Sequence, residues 1–468
     1  MLLLDLAVDY NRHFWHSEVN WEYYKGFYNK QWVYSVIPNM GGKTGMTGVL
    51  DFYANGHLEA LSSSNRGNLV AHGLAPEGIE NNEVLYELVT DAGWSDHRMD
   101  VRDWLKQYSI NRYGKAPAQL MKAWDYLLKS VYGTFTDHPR FNWQFRPGTV
   151  KNGSIYMTED YFRGLEAFLS ASEELKDSPY YLTDLCEMTA HYLGGKAEIL
   201  TRQIDQEYLL GDTLQAHFLQ SRFETFMLGM DRILSQHPTL RLDRWVSFAS
   251  KAARTEAQRK QYEMNARRIV TVWGPPVDDY SARMWSGLIG QYYLGRWKEY
   301  YRGREKGEAV DLASWERNWV ENNRDTYKWN SGLDIVAFAR EMFALSQDVS
   351  SSSLLLDRPG MVGTWSLKPD ESRELVFNIP ARMLKGLKGI SIECLKGSGR
   401  IECTGYVLEG DGQVVASSSD RVSSGQGKLH YTLEMPEKVN ANNGCLLKLT
   451  LKSSGGNAAG IILGVNDL

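Results

Sequence analysis

The sequence predicts a multidomain chain: the carboxyl-terminal part of a TIM-type α/β barrel over residues 1–94, an all-helical domain over 95–347 and a β-sandwich over 354–468. Short apolar runs open the chain, helical periodicity fills its middle, and short strands separated by Gly, Ser and Asp turns fill its end. Each of these patterns has its own period, so each indicates a different class of structure.

The predicted barrel segment rests on three runs, at 2–9, 32–39 and 69–78, that are apolar through the middle and closed by polar or turn-forming residues. Such runs are typical of buried parallel strands. Candidate helices at 19–30 and 47–61 lie between them, and this alternation predicts a parallel sheet. Three strands cannot close an eight-stranded barrel, so we expect an amino-terminal barrel segment that this sequence does not contain.

Helical periodicity begins after Trp94, where Asp100 and Asp103 suit the start of a helix. Helices are predicted over 99–114, 116–133, 160–175, 211–234, 242–270, 281–301 and 331–347. Apolar residues recur three and four positions apart, so most of the aromatic side chains in this domain are expected to form its core.

A serine-rich stretch at 346–353 marks the next boundary, and the short strands beyond it predict the β-sandwich. Trp365 is its exposed-aromatic candidate for carbohydrate binding, although a structural role is favoured. Cys394 and Cys403 flank a predicted hairpin, where they either face each other or remain two buried thiols, and the second interpretation is favoured.

Composition excludes several classes of function. The 52 basic residues nearly balance the 57 acidic ones, for a formal net charge of -5, so no broad basic face is available for nucleic acid. The four cysteines form no CxxC pair and no metal-ligand spacing, so we predict neither a metal site nor a cofactor. The 15 tryptophans and 26 tyrosines permit stacking on sugars without establishing it.

The amino terminus, MLLLDLAVDY, has no basic leader and no small-residue cleavage site, so we do not expect it to be a signal peptide. No stretch approaches the roughly 18 apolar residues that a transmembrane helix requires. We therefore expect no membrane span in this sequence.

The chemistry is expected where the strands end, because the loops of an α/β barrel converge on that face. Glu77 lies between Pro76 and Gly78 at the end of the third run and is the candidate catalytic carboxylate; the alternatives are a helix cap or an arginine pair. Asn39 and Gly41 follow the second run, and glycine there allows the backbone to approach a ligand.

These residues also carry a resemblance. PNMGG at 38–42, GLAPEGIENNEVLYEL at 73–88 and QYEMNARRIVTVWGPPVDDYSARMWSGLIGQYYLGRWKEYY at 261–301 are similar to signatures of glycoside hydrolase family 89, and the similarity extends over about residues 1–345. No single piece would be specific. The combination is.

The resemblance implies an exo-acting, retaining glycoside hydrolase that releases terminal α-linked N-acetylglucosamine from glycans and needs no cofactor. Glu77 matches the nucleophile, whereas the acid/base glutamate belongs to an earlier strand that is missing here. Trp273 resembles the aromatic residue that covers the sugar, with a plug between helices as the alternative. Asn39 would bind sugar polar groups or instead support the glycine turn. Gly41 and Tyr280 complete the candidate substrate-binding set, with a structural hydroxyl as the alternative for Tyr280.

A different class of function stays open: a non-catalytic glycan-binding protein that keeps the pocket wall. By resemblance we expect a location outside the cytoplasm or in a lysosome-like compartment, with the targeting signal absent from this chain. His72, near the catalytic motif, is expected to be a hydrogen-bonded strand histidine and not a metal ligand.

Overall fold

The computed structural model describes residues 1–15, 18–43, 45–78, 80, 82–136, 139–148, 158–274, 278–322, 332–355, 358, 360–384, 386–410, 412–424, 428–432 and 444–465. The described chain divides into two compact units. One comprises Met1–Glu198 with Phe223–Asp348, and the other comprises Ile199–Arg222 with Val349–Leu468. None of the described helices is long and apolar enough to cross a membrane.

A parallel sheet opens the first unit. Its described strands are β1 (Leu2–Asp5), β2 (Gln31–Val36) and β3 (Asn68–Leu74), in that spatial order, with Leu4 opposite Val33 and Tyr34 opposite His72. The helices beside it are α1 (Val8–Tyr10), α2 (Asn20–Tyr23), α3 (Leu50–Ser62) and α4 (Glu83–Ala92).

The prediction that all three strands are buried is wrong for the outer two. The central strand β2 is buried from Trp32 to Val36, but Leu2 and Leu4 in β1 are 54% and 61% exposed and Val70 in β3 is 48% exposed. Each outer strand has a neighbour on one side only among the described residues. Their sequences are as apolar as those of strands that have a neighbouring strand on both sides, which is why burial was predicted for them.

The helix predicted over 19–30 is also interrupted. After α2, Lys25, Phe27 and Tyr28 adopt left-handed backbone angles, with φ of 48°, 53° and 53°. Gly26 allows the break because its backbone lies against Gly67, where a Cβ atom would come within 2.6 Å of the Gly67 Cα atom. Tertiary packing therefore overrides the local helical pattern.

The predicted helical content of the middle of the chain is confirmed. Asp100 caps the first of these helices by accepting a 2.9 Å hydrogen bond from the Asp103 backbone N–H. The described helices are α5 (Val101–Tyr113), α6 (Ala118–Leu127), α7 (Glu159–Ser170), α8 (Ser172–Leu175), α9 (Pro179–Leu209), α10 (Thr213–Leu234), α11 (Leu242–Lys251), α12 (Glu256–Ile269), α13 (Leu294–Lys306), α14 (Leu312–Asn322) and α15 (Ile335–Leu345), with a π-helical turn at Ile289–Tyr293.

Several elements differ from the prediction, including the helix expected over 281–301, which begins only at the π-helical turn starting at Ile289. The single helix expected over 242–270 is two helices, because Thr255 starts α12 by accepting a 3.2 Å hydrogen bond from the Gln258 backbone N–H. Helix α14 was not predicted, and neither was the 31-residue helix α9. Its Gly194 lies against the ring of Phe141, where a Cβ atom would be only 2.6 Å from Cε2, so a glycine within the helix serves close packing.

The second unit is rich in antiparallel sheet. Among the described residues, one sheet has the order β10-β6-β12-β4 and the other β5-β11-β7-β8, with β9 paired to β7. Their bounds are β4 (Met361–Leu367), β5 (Ser372–Ile379), β6 (Gly389–Gly397), β7 (Arg400–Gly410), β8 (Gln413–Ser418), β9 (Val422–Ser424), β10 (Lys428–Thr432), β11 (Cys445–Ser454) and β12 (Ala458–Val465), with a short α16 (Ala381–Leu384). Both sheets contribute to one hydrophobic core.

In this unit the favoured structural role of Trp365 and the favoured unpaired thiols fit the structure, whereas the exposed aromatic and the hairpin do not. Trp365 is only 2% exposed, and its indole N–H donates to the Ile461 carbonyl at 3.3 Å, so it is a core residue and not a binding aromatic. Cys394 and Cys403 do not flank a hairpin, because β6 and β7 belong to different sheets. Both thiols are free, with Cys403 buried and Cys394 partly exposed.

Candidate active site

Glu77 lies three residues beyond the end of β3, in an exposed position. Its Oε2 atom accepts a short hydrogen bond from the backbone N–H of Gly41, in the loop that follows β2. Tyr280 precedes the π-helical turn, and its hydroxyl donates to the same oxygen at 3.4 Å. Two donors from distant parts of the chain thus converge on one carboxylate oxygen.

Asn39 joins the two strand ends. Its side-chain oxygen accepts from the Glu77 backbone N–H at 3.2 Å, and its amide nitrogen donates to the carbonyls of Gly78 at 2.8 Å and Lys43 at 3.4 Å. Asn39 is 5% exposed, so these bonds to backbone occupy a buried amide. The contacts favour the supporting role over direct sugar binding.

Gly41 requires glycine for two independent reasons. Its φ is +70°, and a Cβ atom there would lie 2.7 Å from the Tyr280 carbonyl oxygen. The same turn is held from the helical part of the chain, where Ser281 and Arg283 both donate to the Gly41 carbonyl oxygen and Arg283 also donates to that of Gly42. The turn that presents its N–H to Glu77 is therefore fixed from both sides.

Trp273 and Tyr280 form an aromatic pair beside the carboxylate. Their ring centroids are 5.3 Å apart at 59°, and Trp273 has a left-handed φ of +51° with 41% of its surface exposed. This exposure disagrees with a plug between helices. Burial raises the pKa of Tyr280, and the charge of Glu77 raises it further, so the phenol keeps its proton and acts as a donor.

The segment that carries Tyr280 is anchored by a buried ion network. Arg296 is fully buried and donates to Asp279 at 3.0 Å, to Glu316 at 2.9 Å and to the Gln144 carbonyl at 2.8 Å. Asp279 and Glu316 are each 1% exposed. Because Asp279 directly precedes Tyr280, this network fixes the backbone from which the tyrosine reaches Glu77.

Comparison with known proteins decides the family. A family model described as the α-N-acetylglucosaminidase (NAGLU) C-terminal domain matches residues 104–344, just over half of the chain, and one described as the α-N-acetylglucosaminidase TIM-barrel domain matches residues 1–96. The chain belongs to the α-N-acetylglucosaminidase family. The predicted resemblance to glycoside hydrolase family 89 is thereby confirmed.

Relatives of this α-N-acetylglucosaminidase-family chain are longer. Human α-N-acetylglucosaminidase is 29% identical over 289 residues, which are 58% of this chain and 38% of the human protein. A Clostridium perfringens family 89 glycoside hydrolase in complex with 2-acetamido-1,2-dideoxynojirimycin matches with a TM-score of 0.66 and 25% identity, over 74% of this chain and 42% of that one.

A variant of the C. perfringens enzyme with two Glu→Gln substitutions, in complex with its substrate GlcNAc-α-1,4-galactose, matches with a TM-score of 0.67 and 25% identity. That match covers 76% of this chain and 42% of the bacterial one. This chain therefore spans about two fifths of the length of the relatives it matches.

This α-N-acetylglucosaminidase-family chain has a second titratable cluster at the start of α4, the helix that follows the loop carrying Glu77. Among the described residues, ligand atoms of Glu83, Glu187 and His237 lie within 4.8 Å of one another, and Glu187 accepts from the Asn82 backbone N–H at 3.2 Å. Burial raises the pKa of Glu83 to about 7 and that of Glu187 well above its usual range. Sequence reasoning missed this cluster because its members come from three distant segments.

The hydrogen bonds of His237 argue against a metal at this cluster. Its Nδ1 atom accepts from the backbone N–H groups of Thr239 at 3.2 Å and Leu240 at 3.1 Å, so the proton of the neutral ring lies on Nε2. Burial lowers the pKa of His237 to about 4, so the ring is neutral near pH 7. The protonated Nε2 has no hydrogen-bond partner among the described residues, and a metal there would need its lone pair.

Replacing Glu83 by glutamine is expected to change how stability depends on pH. Because the folded state raises the pKa from 4.5 to about 7, it binds the proton more tightly than the unfolded chain, and the wild type loses stability as pH rises through that window. The variant should lack this loss and be more stable than the wild type at pH 8, by about 1–3 kcal/mol.

Urea unfolding of the two proteins at pH 5 and pH 8 measures this difference. The exposed Glu59→Gln substitution on α3 is the matched control and should be neutral at both values. An unchanged gap between wild type and Glu83→Gln at the two pH values would contradict the pKa assignment.

His72 differs from its expected setting. Its ring stacks on Tyr34 with centroids 5.8 Å apart and meets His57 edge-on at 5.2 Å, and the described residues provide no hydrogen bond to it. Burial lowers the pKa of His72 to about 4, and the neighbouring His57 adds to the effect. It is an aromatic packing residue of the strand and is neutral near pH 7.

The structure brings together all five residues predicted for the site, Asn39, Gly41, Glu77, Trp273 and Tyr280. Sequence reasoning missed three others that contact the same loop: Lys43, Ser281 and Arg283. Only Lys43 had a sequence signal, because it follows the Gly41–Gly42 pair and a nucleophilic carboxylate needs a nearby cation.

Proposed function

We propose that this chain is part of an exo-acting, retaining α-N-acetylglucosaminidase in which Glu77 is the nucleophile. The observation that carries the proposal is the position of Glu77: an exposed carboxylate beyond a parallel strand, with two donors on Oε2. Relatives named as α-N-acetylglucosaminidase and as a family 89 glycoside hydrolase with an α-linked N-acetylglucosamine substrate support it.

In the proposed reaction, the Oε1 atom of Glu77, to which the described residues provide no hydrogen bond, attacks the anomeric carbon while the glycosidic C–O bond breaks. The bonding electrons leave with the aglycone oxygen, which takes a proton from a second carboxyl group about 5 Å from the first. The resulting carboxylate then removes a proton from water, the water oxygen bonds to the anomeric carbon, and Glu77 is released. Donors on Oε2 hold the nucleophile while Oε1 stays available.

We infer the roles of the other site residues from the groups that they present to the site. The open ring of Trp273 is suited to cover a sugar face, and Tyr280 extends this wall toward Glu77. Gly41 allows the loop to approach the substrate without a Cβ atom. Asn39 supports the site by joining the loops that carry Gly41 and Glu77.

We further propose that β1–β3 are the last strands of the barrel and that the two antiparallel sheets pack as a β-sandwich. The exposed apolar side chains of the outer strands, Leu2, Leu4 and Val70, are suited to contact strands outside this sequence, and the second carboxyl group would come from that part. Family resemblance also leads us to propose an extracytoplasmic or lysosome-like location, which fractionation of the native protein tests.

Hydrolysis of an aryl α-N-acetylglucosaminide tests the proposal, with the full-length protein and these 468 residues assayed in parallel. We expect turnover by the full-length protein and none by the 468-residue chain, since the chain lacks the proposed acid/base group. Sugar binding by the full-length protein without hydrolysis would instead identify a glycan-binding protein. Robust turnover by the 468-residue chain would contradict the missing-segment proposal.

A further inference from the structure

Lys43 is fully buried in the loop that presents Gly41 to Glu77. Its ammonium group donates a short hydrogen bond to the Met40 carbonyl oxygen. That carbonyl belongs to the Met40–Gly41 peptide, whose own N–H is the donor to Glu77 Oε2. The lysine and the carboxylate therefore bind opposite ends of one peptide group.

In this arrangement the lysine can polarise the peptide group that donates to Glu77. A cation on a peptide oxygen draws electron density toward it, which makes the N–H at the other end a stronger donor, and linked hydrogen bonds strengthen one another. Burial excludes water from the lysine, so its field is less screened than at a surface. The Glu77 carboxylate thus gains stabilisation through the Met40–Gly41 peptide group.

A second route reaches the same oxygen. The Lys43 ammonium nitrogen lies 4.2 Å from the centroid of the Tyr280 ring, and the Tyr280 hydroxyl donates to Glu77 Oε2 at 3.4 Å. A cation on the face of a phenol withdraws electron density from the ring, which makes its hydroxyl a better donor. One ammonium group therefore strengthens both hydrogen-bond donors to Glu77 Oε2.

We propose that Lys43 is a positioning residue that keeps Glu77 ionised and its Oε1 atom free by acting through the Met40–Gly41 peptide and the Tyr280 ring. The proposal rests on the assignment of Glu77 as the nucleophile. A lysine in direct contact with Glu77 would occupy one of its carboxylate oxygens. Here the lysine acts through two donors that both bind Oε2, so Oε1 is not used. Among the described residues, Arg283 also interacts electrostatically with Glu77, and Arg140 with Tyr280.

The kinetic test compares Lys43→Met, Lys43→Arg and the wild type in the full-length protein, on an aryl α-N-acetylglucosaminide. We expect Lys43→Met to lower kcat by roughly 10- to 100-fold with less than about a threefold change in KM, and to move the acidic limb of kcat/KM to higher pH. Lys43→Arg retains the charge and should recover most of kcat. Lys196→Met, which removes another buried lysine, is the matched control and should match the wild type.

A readout that does not require turnover separates this proposal from the proposed function. Carbon NMR of glutamate carboxyl groups, with the Glu77 signal identified by its loss in Glu77→Gln, reports the ionised fraction of Glu77 at one acidic pH. We expect a smaller ionised fraction in Lys43→Met than in the wild type and Lys43→Arg. An equal fraction in all three folded proteins overturns the role of Lys43, whereas absence of wild-type hydrolysis overturns only the function.

Discussion

Glu77→Gln is expected to lower kcat/KM of the full-length protein by roughly 10³-fold or more, because an amide cannot form the covalent intermediate. The fold should be unaffected. Glutamine has the same shape, and its side-chain oxygen can still accept from the Gly41 N–H and the Tyr280 hydroxyl. Initial rates on an aryl α-N-acetylglucosaminide, with thermal unfolding of both proteins, provide the measurement.

The control for this loss is Glu59→Gln, which removes an exposed carboxylate of the same type from α3 and should retain wild-type kinetics. If Glu77→Gln keeps more than about a tenth of the wild-type kcat/KM, the carboxylate has no covalent role. In that case the site would have to be assigned to another residue.

Arg296→Met is expected to destabilise the protein by about 3–5 kcal/mol, the largest stability effect that the structure predicts. Methionine fills much of the volume but removes the cation that buried Asp279 and Glu316 share, while Glu316 keeps its ion pair with Arg146. Removing one partner of a buried ion pair costs far more than removing one partner of a surface ion pair. Urea unfolding at neutral pH measures the change.

Arg302→Met is the comparison for Arg296→Met. Arg302 lies on the same helix, α13, and pairs with Glu299 at 2.5 Å, but its side chain is 47% exposed. We expect a much smaller change, because an exposed ion pair contributes little to stability. Similar losses in the two variants would mean that burial of the Arg296 network does not control stability.

The carboxylate at the heart of the site could be predicted from sequence because its signal is local. Glu77 follows an apolar run and lies between Pro76 and Gly78, and Asn39 and Gly41 follow the preceding run. Parallel strands bring such ends to one edge, so neighbours in space follow from short patterns along the chain.

The residues that support the site could not be predicted in the same way. Arg283 and Ser281 reach the Gly41 carbonyl across about 240 positions of sequence, and no period or motif links the two segments. The Glu83, Glu187 and His237 cluster has the same difficulty. These contacts depend on how helices pack, which the amphipathic pattern of each helix does not specify.

The errors in the fold have a related cause. Cys394 and Cys403 are close in sequence, and a hairpin is the commonest connection between such strands, yet the chain passes from one sheet to the other between them. Trp365 was judged by residue type, whereas its burial depends on the strands that surround it. Pattern alone fixes which residues alternate, not which sheet they join.

Trapping the covalent intermediate tests the central claim most directly. The full-length protein would be incubated with a fluorinated N-acetylglucosaminyl fluoride that slows release of the glycosyl-enzyme, then digested and mapped by mass spectrometry. Our account predicts that the sugar is attached to the side chain of Glu77 and that Glu77→Gln carries no label. Stoichiometric attachment to any other carboxylate, or label that persists in Glu77→Gln, would contradict it.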